Sequence, residues 1–351
     1  MMRVYWLSII CTTVIVTCGC SGPVKPIFEI RDPPLVWPAA PNQPRIRFVG
    51  MLRTSADLKP PRRPLAAIGD LFVGPAEPAP LYGPRSVVCT ADGRRVWIAD
   101  PGGRCLHVFN LEKRDYGKVY GAEDTPLLSP VSLSLGPEGS IYVCDSERVA
   151  IYQLSDRDGS LLQALRVPAE LVRPAAVHYD AGSDRLFVVD VAAHDVKVLD
   201  RAGGLVTIFG RRGRAPGEFN FPSDIVGDER QLWIADTGNH RVQAVTHDGK
   251  PRRAFGQSGD AYGDMALPKG VALDAGGRIY VVDGRFENVQ IFDQSGSLLL
   301  FFGGEGHDPG EFWLPGGIFI EPGGRIWICD TYNRRVQVFD YIAESEGARG
   351  E

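Results

Sequence analysis

Pro222-Ser223-Asp224-Ile225-Val226-Gly227-Asp228-Glu229-Arg230-Gln231-Leu232-Trp233-Ile234-Ala235-Asp236-Thr237-Gly238-Asn239-His240-Arg241-Val242-Gln243-Ala244-Val245 decides the fold. A short apolar run, Asp224-Ile225-Val226, follows the proline, and Gly227-Asp228-Glu229 reads as a turn. Leu232-Trp233-Ile234-Ala235 is rich in strand formers. Asp236 to Asn239 is a second turn, and Arg241 to Val245 a third strand. Asp248-Gly249 then signals a hairpin into Arg253-Ala254-Phe255. Short strands with turn signals every 8–12 residues or so describe an antiparallel all-β unit. No window shows the apolar spacing of a helix.

The unit recurs across most of the chain. A proline opens each copy, at Pro84, Pro130, Pro174, Pro222, Pro268 and Pro315. An aspartate follows at matching depth, at Asp100, Asp145, Asp190, Asp236, Asp283 and Asp330. Three positions before it stands an aromatic: Trp97, Tyr142, Phe187, Trp233, Tyr280 or Trp327. By subtraction of residue numbers the aspartates lie 45, 45, 46, 47 and 47 apart. Such a period means a solenoid or a propeller. The third residue after each proline is aliphatic, and the second is small except at Asp224. A small column on the first strand fits the crowded axis of a ring. The expected fold is therefore a six-bladed β-propeller of four-stranded antiparallel blades.

The sixth copy reads as only three strands, Gly317–Glu321, Ile326–Asp330 and Val336–Tyr341, before a polar tail at 343–351. An orphan apolar run, Ile46 to Leu52, lies upstream of the first copy. It is expected to complete the last blade and close the ring, giving a propeller over 46–342.

The linking segments carry a family signature. Phe209-Gly210-Arg211-Arg212-Gly213-Arg214-Ala215-Pro216-Gly217-Glu218-Phe219-Asn220-Phe221-Pro222 is one copy. Phe302-Gly303-Gly304-Glu305-Gly306-His307-Asp308-Pro309-Gly310-Glu311-Phe312-Trp313-Leu314-Pro315 is another. With the turn motifs Asp236-x-x-Asn239-x-Arg241 and Asp330-x-x-Asn333-x-Arg335, the chain resembles the NHL family of propeller repeats. The first three copies lack the asparagine, and the fifth, Asp283 to Asn288, is expected to have an extra-long turn. Asp and Asn bond local backbone in turns, and Arg offers five donors. These six residues are read as structural.

The first twenty residues read as an address. Met1-Met2-Arg3 precedes an apolar stretch, Val4 to Val16, too short to span a membrane comfortably. Thr17-Cys18-Gly19-Cys20 then resembles a bacterial lipoprotein signal, with Cys20 as the lipidated residue; a plain secretory signal is the other reading. The implied location is the bacterial cell envelope, lipid-anchored, with Ser21 favouring the outer membrane. Seven prolines follow between residues 21 and 45. They suggest an extended spacer reaching on the order of 75 Å.

Outside the signal, four cysteines remain: Cys89, Cys105, Cys144 and Cys329. Cys144 and Cys329 each precede a repeat aspartate and read as buried core residues in different blades, not as a disulfide. No C-x-x-C-H occurs, so this is no c-type haem carrier by that signature. Net charge is −5, and loss of Arg3 with the signal makes it near −6. That argues against a nucleic-acid partner.

Resemblance to the propeller family admits enzymes, since amidating lyases and gluconolactonase-type hydrolases gather metal ligands at the channel mouth. Here the inner strands offer only Asp224 and His178. His194, His240 and His307 fall on one face. No cofactor and no metal site is expected. The leading expectation is a non-catalytic binding scaffold for an envelope protein or complex, or a glycan. The alternative is an exported metal-dependent hydrolase or lyase. The docking face would hold the linkers and adjoining turns, with Arg212, Tyr262, Arg285, Phe286, Trp313, Tyr332 and Arg334 as anchors, since aromatics and Arg concentrate at binding hot spots.

Overall fold

A computed structural model describes residues 25–59 and 77–343. The signal-like segment with Cys20 and residues 344–351 of the polar tail lie outside the described residues. The described chain folds into six antiparallel sheets, five of them four-stranded and built in chain order over 86–119, 130–164, 174–209, 222–255 and 268–303. The first strand of each sheet touches the first strand of the next. Ser86–Cys89 meets Pro130–Leu135, and so on round to Ile318–Ile320, which returns to Ser86–Cys89. The ring is closed, and the molecule is a six-bladed propeller. Among the described residues the only helical elements are two short 3-10 turns, Ser55–Leu58 and Thr237–Asn239.

The sequence columns explain the packing. The aromatic column and the aliphatic third residues are all buried between sheets. The small column lines the axis, where neighbouring backbones approach closely. A Cβ at Gly270 would sit 2.3 Å from the Gly316 carbonyl, and one at Gly317 2.4 Å from that of Arg85. Where the column carries a polar side chain, that side chain links the blades. Ser86 Oγ accepts the Leu133 N–H (3.0 Å), Ser132 Oγ the Val177 N–H (3.2 Å) and Asp224 Oδ2 the Val271 N–H (2.9 Å).

Blade six is built from both chain ends. Ile318–Ile320, Arg325–Asp330 and Arg335–Tyr341 are joined by Ile46–Leu52, with Phe48 opposite Phe339 and Leu52 opposite Val336. A fifth strand, Val36–Trp37, then pairs outside Ile46–Leu52.

That fifth strand corrects the spacer expectation. The described part of the Pro-rich stretch lies along blade six. The Trp37 ring packs 5.9 Å from Phe302 and 5.8 Å from Phe339, and Phe28 meets Trp327 edge-on at 5.8 Å. Phe28 also covers Gly50, where a Cβ would come within 2.7 Å of it. The prolines set local stiffness. The apolar residues between them decide the docking, because burying them removes apolar surface from water.

A second correction concerns the turns. Asp283 faces Asn288 as Asp236 faces Arg241 and Asp330 faces Arg335, so the fifth turn has no extra length. The first three copies take the same step, with Asp100 facing Cys105, Asp145 facing Ala150 and Asp190 facing Asp195. The last turn residue is left-handed in every blade: Arg104, Val149, His194, His240, Glu287 and Arg334 have φ between +50 and +61°. Backbone geometry, not the asparagine, defines this turn.

Candidate functional site

One face of the propeller carries the inter-blade linkers and the turns between second and third strands. Six buried carboxylates fix its shape. Each repeat aspartate is 0% exposed and accepts the N–H two residues before the repeat proline: Tyr82, Leu128, Val172, Asn220, Ala266 or Trp313, at 2.6–2.8 Å. A charged acceptor makes each bond worth about 1.5–3 kcal/mol. The aspartate therefore ties the end of its strand to the linker that enters its blade.

Blades four and six extend this tie. Arg335 Nε donates to Asp330 (2.6 Å), while its Nη atoms donate to the carbonyls of His307, Asp308 and Glu311. Asn333 bonds Asp330 and the Gly306 carbonyl. Asn239 and Arg241 repeat the pattern on Asp236, Gly213, Ala215 and Glu218. Thr237 and Thr331 reach the next blade, donating to the carbonyls of Pro268 and Pro84.

The anchors named from sequence are distributed unequally over this frame. Trp313 (42% exposed) meets Tyr332 (55% exposed) edge-on at 5.3 Å, and His307 packs against Trp313 at 5.2 Å. Arg334 is exposed two residues beyond Tyr332. Arg285 is exposed and Phe286 half-buried on the blade-five turn, whose Glu287 accepts the Leu314 N–H (3.2 Å). These five residues lie on adjoining turns of blades five and six. Arg212 is exposed on the linker between blades three and four. Tyr262 stands apart: it is 85% exposed and stacks 5.5 Å over Phe301, on the outermost strand of blade five. Phe312 is fully buried and only packs the linker.

The three histidines of this face do not converge. His194 Nδ1 accepts the Phe221 N–H, His240 Nδ1 bonds the Ala266 carbonyl, and His307 Nδ1 bonds Asn333. Each closes its own inter-blade contact. Among the described residues, no group of three or more His, Cys, Asp and Glu is placed to hold a metal ion.

The axial channel opens at the centre of the same face. It encloses about 250 Å³ and is lined near the linker face by Arg85, Ser223, Asp224 and Lys269, and deeper by Leu135, His178, Leu273 and Phe319. Burial pushes His178 down to about 4, so it is neutral. Burial pushes Asp224 up to about 6, against the pull of the Val271 and Ile225 N–H groups and of Arg85. A carboxyl raised on folding holds its proton more tightly in the native state. Its stabilisation is full below its unfolded value near 3.8 and is lost as pH rises through about 6. Asp224→Asn keeps an acceptor for Val271. It is expected to raise stability at pH 7.5 by on the order of 1–3 kcal/mol and to leave it unchanged at pH 3.5, read by denaturant melts at both pH values. Equal effects at the two pH values would refute the assignment.

The NHL-repeat family model matches residues 219–244 and 312–339, the two linkers and turns with the fullest Asp-Asn-Arg clamps. Those two stretches are NHL repeats on a six-bladed propeller. No curated protein sequence matches it. A protein of unknown function from Bacteroides thetaiotaomicron superposes with a TM-score of 0.60 at 15% identity, over 75% of this chain and 70% of that one. A gluconolactonase from Xanthomonas campestris gives 0.56 at 18%, over 74% and 86%. A streptogramin B lyase gives 0.55 at 14%, over 73% and 78%. At such identities these likenesses show the fold alone.

In blades one and three, which lack the Asp-Asn-Arg set, other buried side chains hold the aspartate, and the sequence reading missed them. In four blades the partner stands seven residues after the aspartate. Gln243 and Gln337 bond the aspartate in blades four and six, Lys197 does so in blade three (3.1 Å) and His107 in blade one (3.1 Å). A fixed offset from the aspartate was the available signal. Blade one thereby gathers Cys105, His107 and Asp100. This is not a nucleophile: thiol and carboxylate share the same nitrogen, His107 Nε2, and burial pushes the Cys105 thiol up to about 11. Cys89, Cys144 and Cys329 are likewise free and buried.

Proposed function

We propose that this NHL-repeat propeller is an exported, membrane-anchored, non-catalytic scaffold whose linker face docks a protein of the bacterial cell envelope. The carrying observation is the exposed Trp313–Tyr332 pair, flanked by Arg285 and Arg334 and mounted on turns that buried carboxylates hold rigid. Large aromatic and guanidinium groups on a pre-organised surface lose little entropy on docking. The export and anchor half of the proposal rests on the Met1–Cys20 reading, with Cys20 as the lipid site in the outer membrane.

Tyr332→Ala combined with Arg334→Ala removes exposed groups only. Partner capture by cross-linking in membranes is expected to fall at least about tenfold, with an unchanged melting temperature. Undiminished capture would move the docking site elsewhere. A second reading, an exported metal-dependent hydrolase or lyase, draws on Asp224 and His178 in one channel and on the lyase and gluconolactonase built on this fold. Stoichiometric zinc or calcium in purified protein would favour it.

A further inference from the structure

The residues that follow the repeat prolines are Arg85, Val131, Ala175, Ser223, Lys269 and Gly316 in ring order, and all but the glycine line the channel. Two of the six are cations, and they flank the glycine. A Cβ at Gly316 would come within 2.8 Å of Arg85 Nη1, so the missing side chain makes room for the guanidinium. Lys269 lays its stem over Gly284, where a Cβ would meet its Cδ at 2.9 Å. Among the described residues, neither cation has a side-chain hydrogen bond or an ion pair. Both are half-buried. The nearby carboxylate, Asp224, spends its oxygens on the backbone N–H groups of Ile225 and Val271. Beneath the cations the channel wall sets apolar side chains, including Val87, Val177, Ile318 and Phe319, beside Ser132, Ser134 and the neutral His178.

Two cations with no direct ion-pair partner, outnumbering the single carboxylate of the lining, Asp224, describe a site for an amphipathic anion. We propose that Arg85 and Lys269 bind a carboxylate carried on a short apolar body, which fills the channel below them. The cavity is smaller than the roughly 300–1,000 Å³ of drug-sized sites, so the apolar body is short. The carboxylate is supplied either as a free monocarboxylic acid or as the C-terminal residue of a partner chain. The site is separate from the Trp313–Tyr332 surface and stands whether or not that surface docks a protein. Burial and the charge of Arg85 push Lys269 down to about 8, with Asp283 pulling the other way. A bound carboxylate would supply the charge that this ammonium lacks.

Calorimetry with hexanoate, hexanamide and acetate tests the site on the full chain. Hexanoate is expected to bind at least about tenfold tighter than either of the others, and Arg85→Gln and Lys269→Met each to weaken it at least about tenfold. On the unaltered protein, hexanoate is expected to protect Lys269 from an amine-labelling reagent at pH 8, a readout that no folding defect can mimic. A peptide ending in Gly-Leu with a free carboxylate, compared with its amide, identifies the source. Tighter binding of the free peptide than of hexanoate assigns a partner's C-terminus, and the reverse assigns a free acid. Hexanoate binding no tighter than hexanamide, or no protection of Lys269 by either ligand, would overturn the proposal. Tyr332→Ala is expected to leave hexanoate binding unchanged, which separates this site from the docking surface.

Discussion

Deleting Ile46–Leu52 is expected to abolish cooperative folding at 37 °C. The segment is the fourth strand of blade six and pairs residue by residue with Arg335–Tyr341. It buries Ile46, Phe48, Val49 and Leu52. Truncating one such side chain to alanine costs about 2–5 kcal/mol, and a native domain has about 5–15 kcal/mol in hand. Losing four together, with the strand pairing, exceeds that margin. The deletion also frees the edge of Arg335–Tyr341 and removes the support of Val36–Trp37, so Trp37 loses its place against Phe339. Thermal unfolding followed by circular dichroism should show no sigmoidal transition. Phe48→Ala offers a graded version: it is expected to cost about 3–5 kcal/mol and to lower the melting temperature by about 5–15 °C. A deletion variant that melts like the parent would mean that the ring holds without its clasp.

The closure was legible because it follows from counting strands against copies. The sixth copy lacked one strand, and one apolar run had no copy. The small column was legible for a similar reason, since side-chain alternation and ring crowding act on every blade alike. The Pro-rich strap was not. Proline fixes local conformation, whereas the docking of Phe28 and Trp37 depends on a groove that exists only after blade six is assembled. Lys197 and His107 were missed because each satisfies a buried aspartate in a different chemical way, and only a shared offset connects them. Tyr262 was grouped with the face from its place in a linker, but its ring turns to Phe301 at the rim. Arg85 and Lys269 escaped notice because the position after the proline is unremarkable in one blade. It becomes a channel mouth only when six such positions meet.

Arg335→Ala is expected to destabilise the propeller by about 3–5 kcal/mol, the usual cost of leaving a buried charge without its partner. Arg335 and Asp330 are both 0% exposed, and the guanidinium also holds three linker carbonyls. The equivalent pair in blade four differs in one respect: the Arg241 side chain is 15% exposed, so water can replace part of what Arg241→Ala removes. The cost there is expected to be smaller, about 1–3 kcal/mol. Arg335→Lys should not restore blade six, because an ammonium cannot span the fork between Asp330 and the Glu311 carbonyl. The consequence for function follows from where those carbonyls lie. They belong to the segment that ends in Trp313, so loosening it unfixes one half of the Trp313–Tyr332 pair. Hydrogen exchange should therefore quicken across residues 304–314 in Arg335→Ala while residues 211–221 keep the parent's protection. Uniform loss of protection in both linkers would show that the clamp supports the whole ring and not its own blade. Unchanged protection at 304–314 would show that Asp330 alone, through the Trp313 N–H, is enough to hold the docking face in shape.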